Sequence, residues 1–267
     1  MPSLPMYFPS AFSLSQAQQC AVLVEAAYDQ YSQWLQQDKP RKASDFSWQL
    51  PTSLSGWNVS APIWSTLSEL KYINESEPFG FAAMDTSDAV YLVFRGTESA
   101  QDWVDDLDVK QDAYPWQSHV GQVHAGFLKL YASLRDQALQ AVEGLQPSGD
   151  LWVCGHSLGS ALSSLAVLDL HSQWPHQPLQ HYNFASPRVA DPNFAAYYNG
   201  LDVPTYRVVN DSDLVPEVPP GVTDSWVYQH LGLAVTFTAS YSSFAGDHSM
   251  ADCYLYAINN PDAPMNG

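Results

Sequence analysis

One serine in this chain is placed for covalent chemistry. Gly155-His156-Ser157-Leu158-Gly159 follows the apolar run Leu151-Trp152-Val153-Cys154 and precedes Ser160-Ala161-Leu162-Ser163-Ser164-Leu165-Ala166-Val167-Leu168, a helix-like stretch. Glycines two residues either side of a serine, between a strand and a helix, make the pattern of a nucleophile elbow. A tight turn leaves no room for side chains at those flanks and holds the serine oxygen clear of the sheet. The N–H of Leu158 then points into the same space, where it can stabilise an oxyanion. Such a serine is a weak nucleophile alone: it needs a base, and the base needs an orienting carboxylate.

In enzymes built on this elbow the acid and then the histidine follow the serine, each in a loop after a strand. His230 and His248 qualify as the base, and the place after the last strand favours His248. At the start of a closing helix its cation is disfavoured by the helix dipole, so the acid partner must outweigh that. Asp191, Asp202, Asp211, Asp213, Glu217 and Asp224 qualify as the acid. Asp213 lies at a strand end before the proline-stiffened Val215-Pro216-Glu217-Val218-Pro219-Pro220, which gives it a slight edge over Asp211. A turn or cap aspartate is the plainer reading of either.

The elements that must carry these groups read as alternating strands and helices. Ala21, Val24, Ala27, Tyr28, Tyr31 and Trp34 mark a helix within 15–34, and 39–65 reads as irregular coil. Phe79–Met84 and Ala89–Phe94 read as strands joined by a hairpin-type connection at 85–88. Ala100, Trp103, Val104 and Leu107 share one face of a short helix in 98–108, with Asp102, Asp105, Asp106 and Asp108 opposite. A long helix is expected over 126–144, strands over 180–185, 206–209 and 233–238, a short helix over 191–198 and a closing helix over 248–258. This alternation indicates an α/β sheet, parallel in its centre, in one domain spanning 1–267.

Composition narrows the function classes. The net charge of −18, from 28 acidic and 10 basic residues, argues against nucleic acid and anionic membranes as partners. With 46% hydrophobic and 14% charged residues the chain is globular. No run of 18 apolar residues suggests a membrane span, and no signal peptide is visible at the start, so the compartment stays open. Cys154 is expected as a buried thiol; a Cys20 to Cys253 bridge is conceivable, but reduced thiols are the expectation. Without C-x-x-C or H-E-x-x-H, no metal or other cofactor is implied. His171, His176 and His181, five apart, read as surface residues.

Several motifs in order resemble the class 3 triacylglycerol lipase family, over about residues 60–258. They are Val93-Phe94-Arg95-Gly96-Thr97, Asp102-Trp103-Val104-Asp105-Asp106-Leu107, Gly121-Gln122-Val123-His124-Ala125-Gly126-Phe127, the serine pentapeptide, Phe184-Ala185-Ser186-Pro187-Arg188-Val189, and Asp213-Leu214-Val215-Pro216 with Pro219-Pro220. The resemblance implies an α/β-hydrolase fold: a central, mostly parallel sheet flanked by helices, with a short helical lid. It implies a triad of Ser157, Asp213 and His248, an oxyanion hole from the Thr97 and Leu158 amides, and elbow glycines Gly155 and Gly159. His230 falls on a non-catalytic position, and His124 and His156 on framework positions. Trp103, Val104 and Leu107 become the lid and acyl contacts. Ala185 and Ala190 stand where the family usually has glycine, and the fungal disulfide pattern is not reproduced.

The activity implied by the resemblance is carboxylic ester hydrolysis, on a lipid or other ester. A triacylglycerol lipase working at an oil-water interface stands ahead of an esterase for soluble short-chain or feruloyl esters. A non-catalytic binding module would have lost a triad member. A serine-aspartate dyad would leave His248 dispensable.

Overall fold

The computed structural model describes residues 6, 8–65, 76–105 and 108–262. A mixed sheet organises the chain. Strands β1 (Asn58–Val59) and β2 (Ile63–Ser65) both pair antiparallel with β3 (Glu77–Met84), which pairs antiparallel with β4 (Val90–Phe94). A separate ribbon joins β5 (Gln111–Ala113) to β6 (Gln122–His124). From β4 the main sheet continues in parallel through β7 (Leu151–His156), β8 (Leu179–Phe184), β9 (Thr205–Asn210) and β10 (Leu233–Phe237). The parallel centre is as the sequence implied; β1 and β2 lie hidden in what reads as coil. Two- and three-residue strands carry too little alternation to register as a pattern.

Each sheet face is covered by helices. One face meets α1 (Leu14–Gln36), whose Ala17, Ala21, Val24 and Ala27 are buried, together with the C-terminal segment. The other meets α3 (Ala125–Gly144), α4 (Leu158–Gln173) and α5 (Pro192–Asn199), while α2 (Ala100–Asp105) lies between β4 and β5 in the chain. Every residue of α4 from Leu158 to Leu170 is buried, which is why its sequence lacks a polar face. Asp191 caps α5, accepting from Phe194 N at 2.7 Å.

Three expectations need correction. The closing helix starts two residues later than expected and opens differently: after a separate short α6 (Phe244–Asp247), Ser249 caps a π-helical turn, Met250–Leu255, that leads directly into α7 (Tyr256–Asn259). His248 is thus the C-cap of α6, in the short link before the closing helix. His181 is not on the surface: it is fully buried on β8, with Ser163 Oγ 2.7 Å from Nε2 and Tyr198 Oη 2.7 Å from Nδ1, and burial pushes its pKa down to about 3. The third concerns the helix after β4: Glu98 and Ser99 form a turn and Asp108 is not helical, so among the described residues the helix covers Ala100–Asp105. All three cysteines are free and buried, and Cys20 lies against Cys154, not Cys253.

Candidate active site

The carboxyl ends of the parallel strands bring the predicted groups together, where open α/β sheets place their sites. β7 runs directly into Ser157, which has φ 57° and ψ −124° and serves as the N-cap of α4. A non-glycine residue in that region is strained, and such strain collects at functional turns. The Ser157 N–H donates to Phe184 O at 3.0 Å, tying the turn to β8. Packing explains the flanking glycines. A Cβ on Gly155 would lie 2.3 Å from Gly159 O, and one on Gly159 would lie 2.4 Å from Arg95 O.

His248 Nε2 lies 2.8 Å from Ser157 Oγ, and His248 Nδ1 lies 2.7 Å from Asp213 Oδ2. All three side chains are buried. Asp213 is held twice more, by the Val215 N–H on Oδ1 at 2.9 Å and by the Tyr254 hydroxyl on Oδ2 at 2.7 Å. This carboxylate therefore has no freedom to turn away from the imidazole. Asp211, two residues earlier, is exposed and accepts from the Thr238 hydroxyl at 3.0 Å. His230 sits apart, against the Pro216 backbone, its pKa lowered to about 3 by burial and by Arg207 and Arg188. Of the candidates left open by position, Asp213 and His248 are the pair that reaches Ser157.

Thr97 and Leu158 flank the serine. Leu158 opens α4, so its N–H has no partner within the helix. Thr97 is buried just beyond β4, and its Oγ1 accepts from Ser99 N at 3.2 Å. A cavity of about 480 Å³ is walled in part by Thr97, His156, Phe244 and His248, together with Glu25 and Glu98. Burial, then Asp252, raises the Glu25 pKa to about 7. Ala100 and Gln101 of α2 line the same cavity, and Val104 packs on the main core. Leu107 and the side chain of Trp103 lie outside the described residues.

His156 and His124 are framework groups in this structure. His156 Nδ1 lies 2.7 Å from the Tyr28 hydroxyl, and its ring centroid is 4.7 Å from that of His248. Burial, then the charge of His248, holds its pKa well below the usual histidine value. His124 caps α3 through Phe127 N, and burial lowers its pKa to about 4. Among the described residues no group of three His, Cys, Asp or Glu side chains is arranged to hold a metal ion. No helix among them is long and apolar enough to cross a membrane.

Sequence reasoning missed Tyr254, Tyr28 and Arg95 as parts of the site. Tyr28 and Tyr254 are core-periodic positions of helical segments, so nothing local separates them from packing residues. Arg95 gave a signal, a lone arginine ending an apolar strand. Its guanidinium is buried against Glu77 at 2.8 Å and lies 3.7 Å from the centre of the Tyr31 ring.

The family model for lipase (class 3) matches residues 91–223, about half the chain. The chain belongs to the class 3 lipase family. A lipase of Rhizomucor miehei is 37% identical over 142 residues, 51% of this chain and 39% of that protein. The class 3 match therefore spans well under two thirds of that relative's length. Phospholipase A1-II 7 of Oryza sativa subsp. indica is 29% identical over 245 residues, covering 77% of this chain and 60% of the relative. The solved Rhizomucor miehei lipase propeptide complex superposes with a TM-score of 0.67 at 25% identity, over 86% of this chain and 70% of the other. The class 3 chain thus has the α/β-hydrolase fold, as its motifs implied. Ala185, where the family usually has glycine, has φ 51°, a conformation that glycine adopts without strain.

Proposed function

We propose that this protein hydrolyses carboxylic esters of lipids, acylglycerols foremost, through an acyl-enzyme on Ser157. The observation that carries the reading is the unbroken line Ser157 Oγ, His248 Nε2, His248 Nδ1, Asp213 Oδ2, with steps of 2.8 and 2.7 Å. Asp213 accepts a hydrogen bond from the Nδ1–H, which leaves the Nε2 lone pair facing the serine hydroxyl. As Ser157 attacks the ester carbonyl, His248 takes its proton, and Asp213 stabilises the resulting imidazolium. The Thr97 and Leu158 amides receive the carbonyl oxygen as it becomes an anion, each donor contributing about 3 kcal/mol. His248 then gives its proton to the leaving alcohol. Water attacks the acyl-enzyme through the same groups, releasing the acid and restoring Ser157.

Two observations support a lipid ester. The relatives are named lipase and phospholipase A1. Ser157 is completely buried, so an ester reaches it only after a covering element moves, and α2 stands at the cavity's edge. On this reading Val104, with Trp103 and Leu107, faces the acyl chain once the cover opens. The alternative, an esterase for soluble esters, is favoured by the exposed Gln101, Asp102 and Asp105 of α2.

Rates over acyl esters from short to long chain, below and above their solubility limit, separate the two. A jump at the limit with long chains is expected of the lipase. Saturation below it with short chains would favour the esterase. Near-normal turnover by Ser157→Ala would sink both.

A further inference from the structure

We propose that Tyr28 and Arg95 are positioning residues that clamp both backbone polar atoms of Gly96, and so preset the peptide whose N–H is the Thr97 oxyanion donor. The proposal rests on the reading of Thr97 as that donor. The peptide joining Gly96 to Thr97 carries the Gly96 carbonyl and the Thr97 N–H on opposite edges of one plane. Whatever holds the carbonyl therefore fixes where the N–H points. Arg95 Nη1 donates to Gly96 O at 2.6 Å. The guanidinium is itself immobile, with Nε on Pro78 O at 2.8 Å and Nη2 on Glu77 Oε1 at 2.8 Å, between the Tyr31 and Phe79 rings.

The preceding peptide is held through its N–H. Gly96 N donates to the Tyr28 hydroxyl at 3.0 Å. The phenol oxygen thus accepts from Gly96 and is at the same time hydrogen-bonded to His156 Nδ1, 2.7 Å away. One hydroxyl on α1 so joins the oxyanion loop to the elbow residue His156, whose ring lies 4.7 Å from that of His248. There is no slack in the clamp: a Cβ on Gly96 would lie 2.5 Å from the Tyr28 oxygen and 2.8 Å from Ser157 Cβ. Tyr28 lies 68 residues from Gly96 and outside the 91–223 family match, so nothing in the motif announces it.

Oxyanion donors act through orientation fixed before the reaction, so loosening the clamp lowers turnover rather than ground-state binding. Tyr28→Phe removes one hydroxyl at constant shape. Arg95→Lys keeps the charge toward Glu77, but one ammonium cannot reproduce the guanidinium fork. In each variant kcat, counted per serine titrated by a fluorescent phosphonate ester, is expected to fall about 10- to 100-fold. KM is expected to stay within about twofold. Affinity for an alkylboronic acid, which forms a tetrahedral adduct on the serine, is expected to fall by the same factor as kcat.

A folded Tyr28→Phe whose kcat per titrated site stays within twofold of wild type would overturn the proposal, even with a lowered Tm, because that is what a merely structural role gives. If Arg95→Lys does not fold, Tyr28→Phe alone decides. Wild-type protein that hydrolyses no ester, or a Ser157→Ala variant that still does, would instead defeat the underlying reading of the site.

Discussion

The elbow and the segment that covers it are built on opposite terms. At the elbow, Ser157 is held by Phe184 O, its flanking glycines have backbone oxygens within 2.5 Å of any added Cβ, and Asp213 accepts three hydrogen bonds. In the cover, α2 has Gln101, Asp102 and Asp105 exposed and Ala100 buried. An over-determined region fixes reaction chemistry, because small errors in geometry cost much rate. A lightly held region can move at little cost and can vary in substrate preference. The contrast teaches that the reaction and its specificity are stored in different parts of the chain, with different tolerance for change.

The contrast breaks if the elbow proves tolerant. The largest effect is expected for His248→Ala, a fall in kcat of about 10⁴-fold or more on a soluble chromogenic ester. Retained turnover would favour a serine-aspartate dyad instead. Next is Gly159→Ala, whose Cβ meets two backbone carbonyls of the β4 end at 2.4 and 2.5 Å. A loss of about 3 kcal/mol or more in urea unfolding is expected, or an active-site turn shifted enough to abolish phosphonate titration.

Acid is expected to loosen the molecule through its buried histidines. Burial lowers the folded pKa of His181 to about 3 and of His124 to about 4, below the unfolded value of about 6.5. The unfolded chain therefore binds those protons first, and stability drops as pH falls from about 6.5 toward those values. By pH 4.5 His181 alone is expected to cost about 3 kcal/mol, so the urea midpoint should decline between pH 7 and pH 4.5. A flat profile, or the same slope in His181→Gln, would contradict this. The smallest effect is expected in the cover. Val104→Ala should lower stability by under about 1 kcal/mol and change the ratio of long- to short-chain ester rates by a few-fold, leaving short-chain kcat nearly intact.

The same contrast governs what the sequence alone could reveal. The elbow, the parallel centre of the sheet and the choice between strand and helix are legible, because glycine spacing and hydrophobic period are local properties. Position does not decide Asp213 over Asp211, since two aspartates two residues apart share one turn; Tyr254 and Val215 N select between them in three dimensions. His181 reads as exposed because the spacing His171, His176, His181 crosses from α4 to β8, and burial follows the strand. The helix beside Trp103 reads as starting too early, because Glu98 and Ser99 form a turn that Thr97 Oγ1 holds through Ser99 N before α2 begins at Ala100. Tyr28 is unreadable as a site residue, because its partners Gly96 and His156 lie 68 and 128 residues away.

The central claim is that Ser157 is the nucleophile, activated by His248. The most direct measurement is mass spectrometry of the protein after exposure to a fluorophosphonate, which transfers its phosphonyl group to an activated serine. One adduct is expected, on the peptide bearing Ser157, with labelling at least about 100-fold slower in His248→Ala. A phosphonyl group on any other residue, or labelling of Ser157 that proceeds at the same rate without His248, would contradict the account.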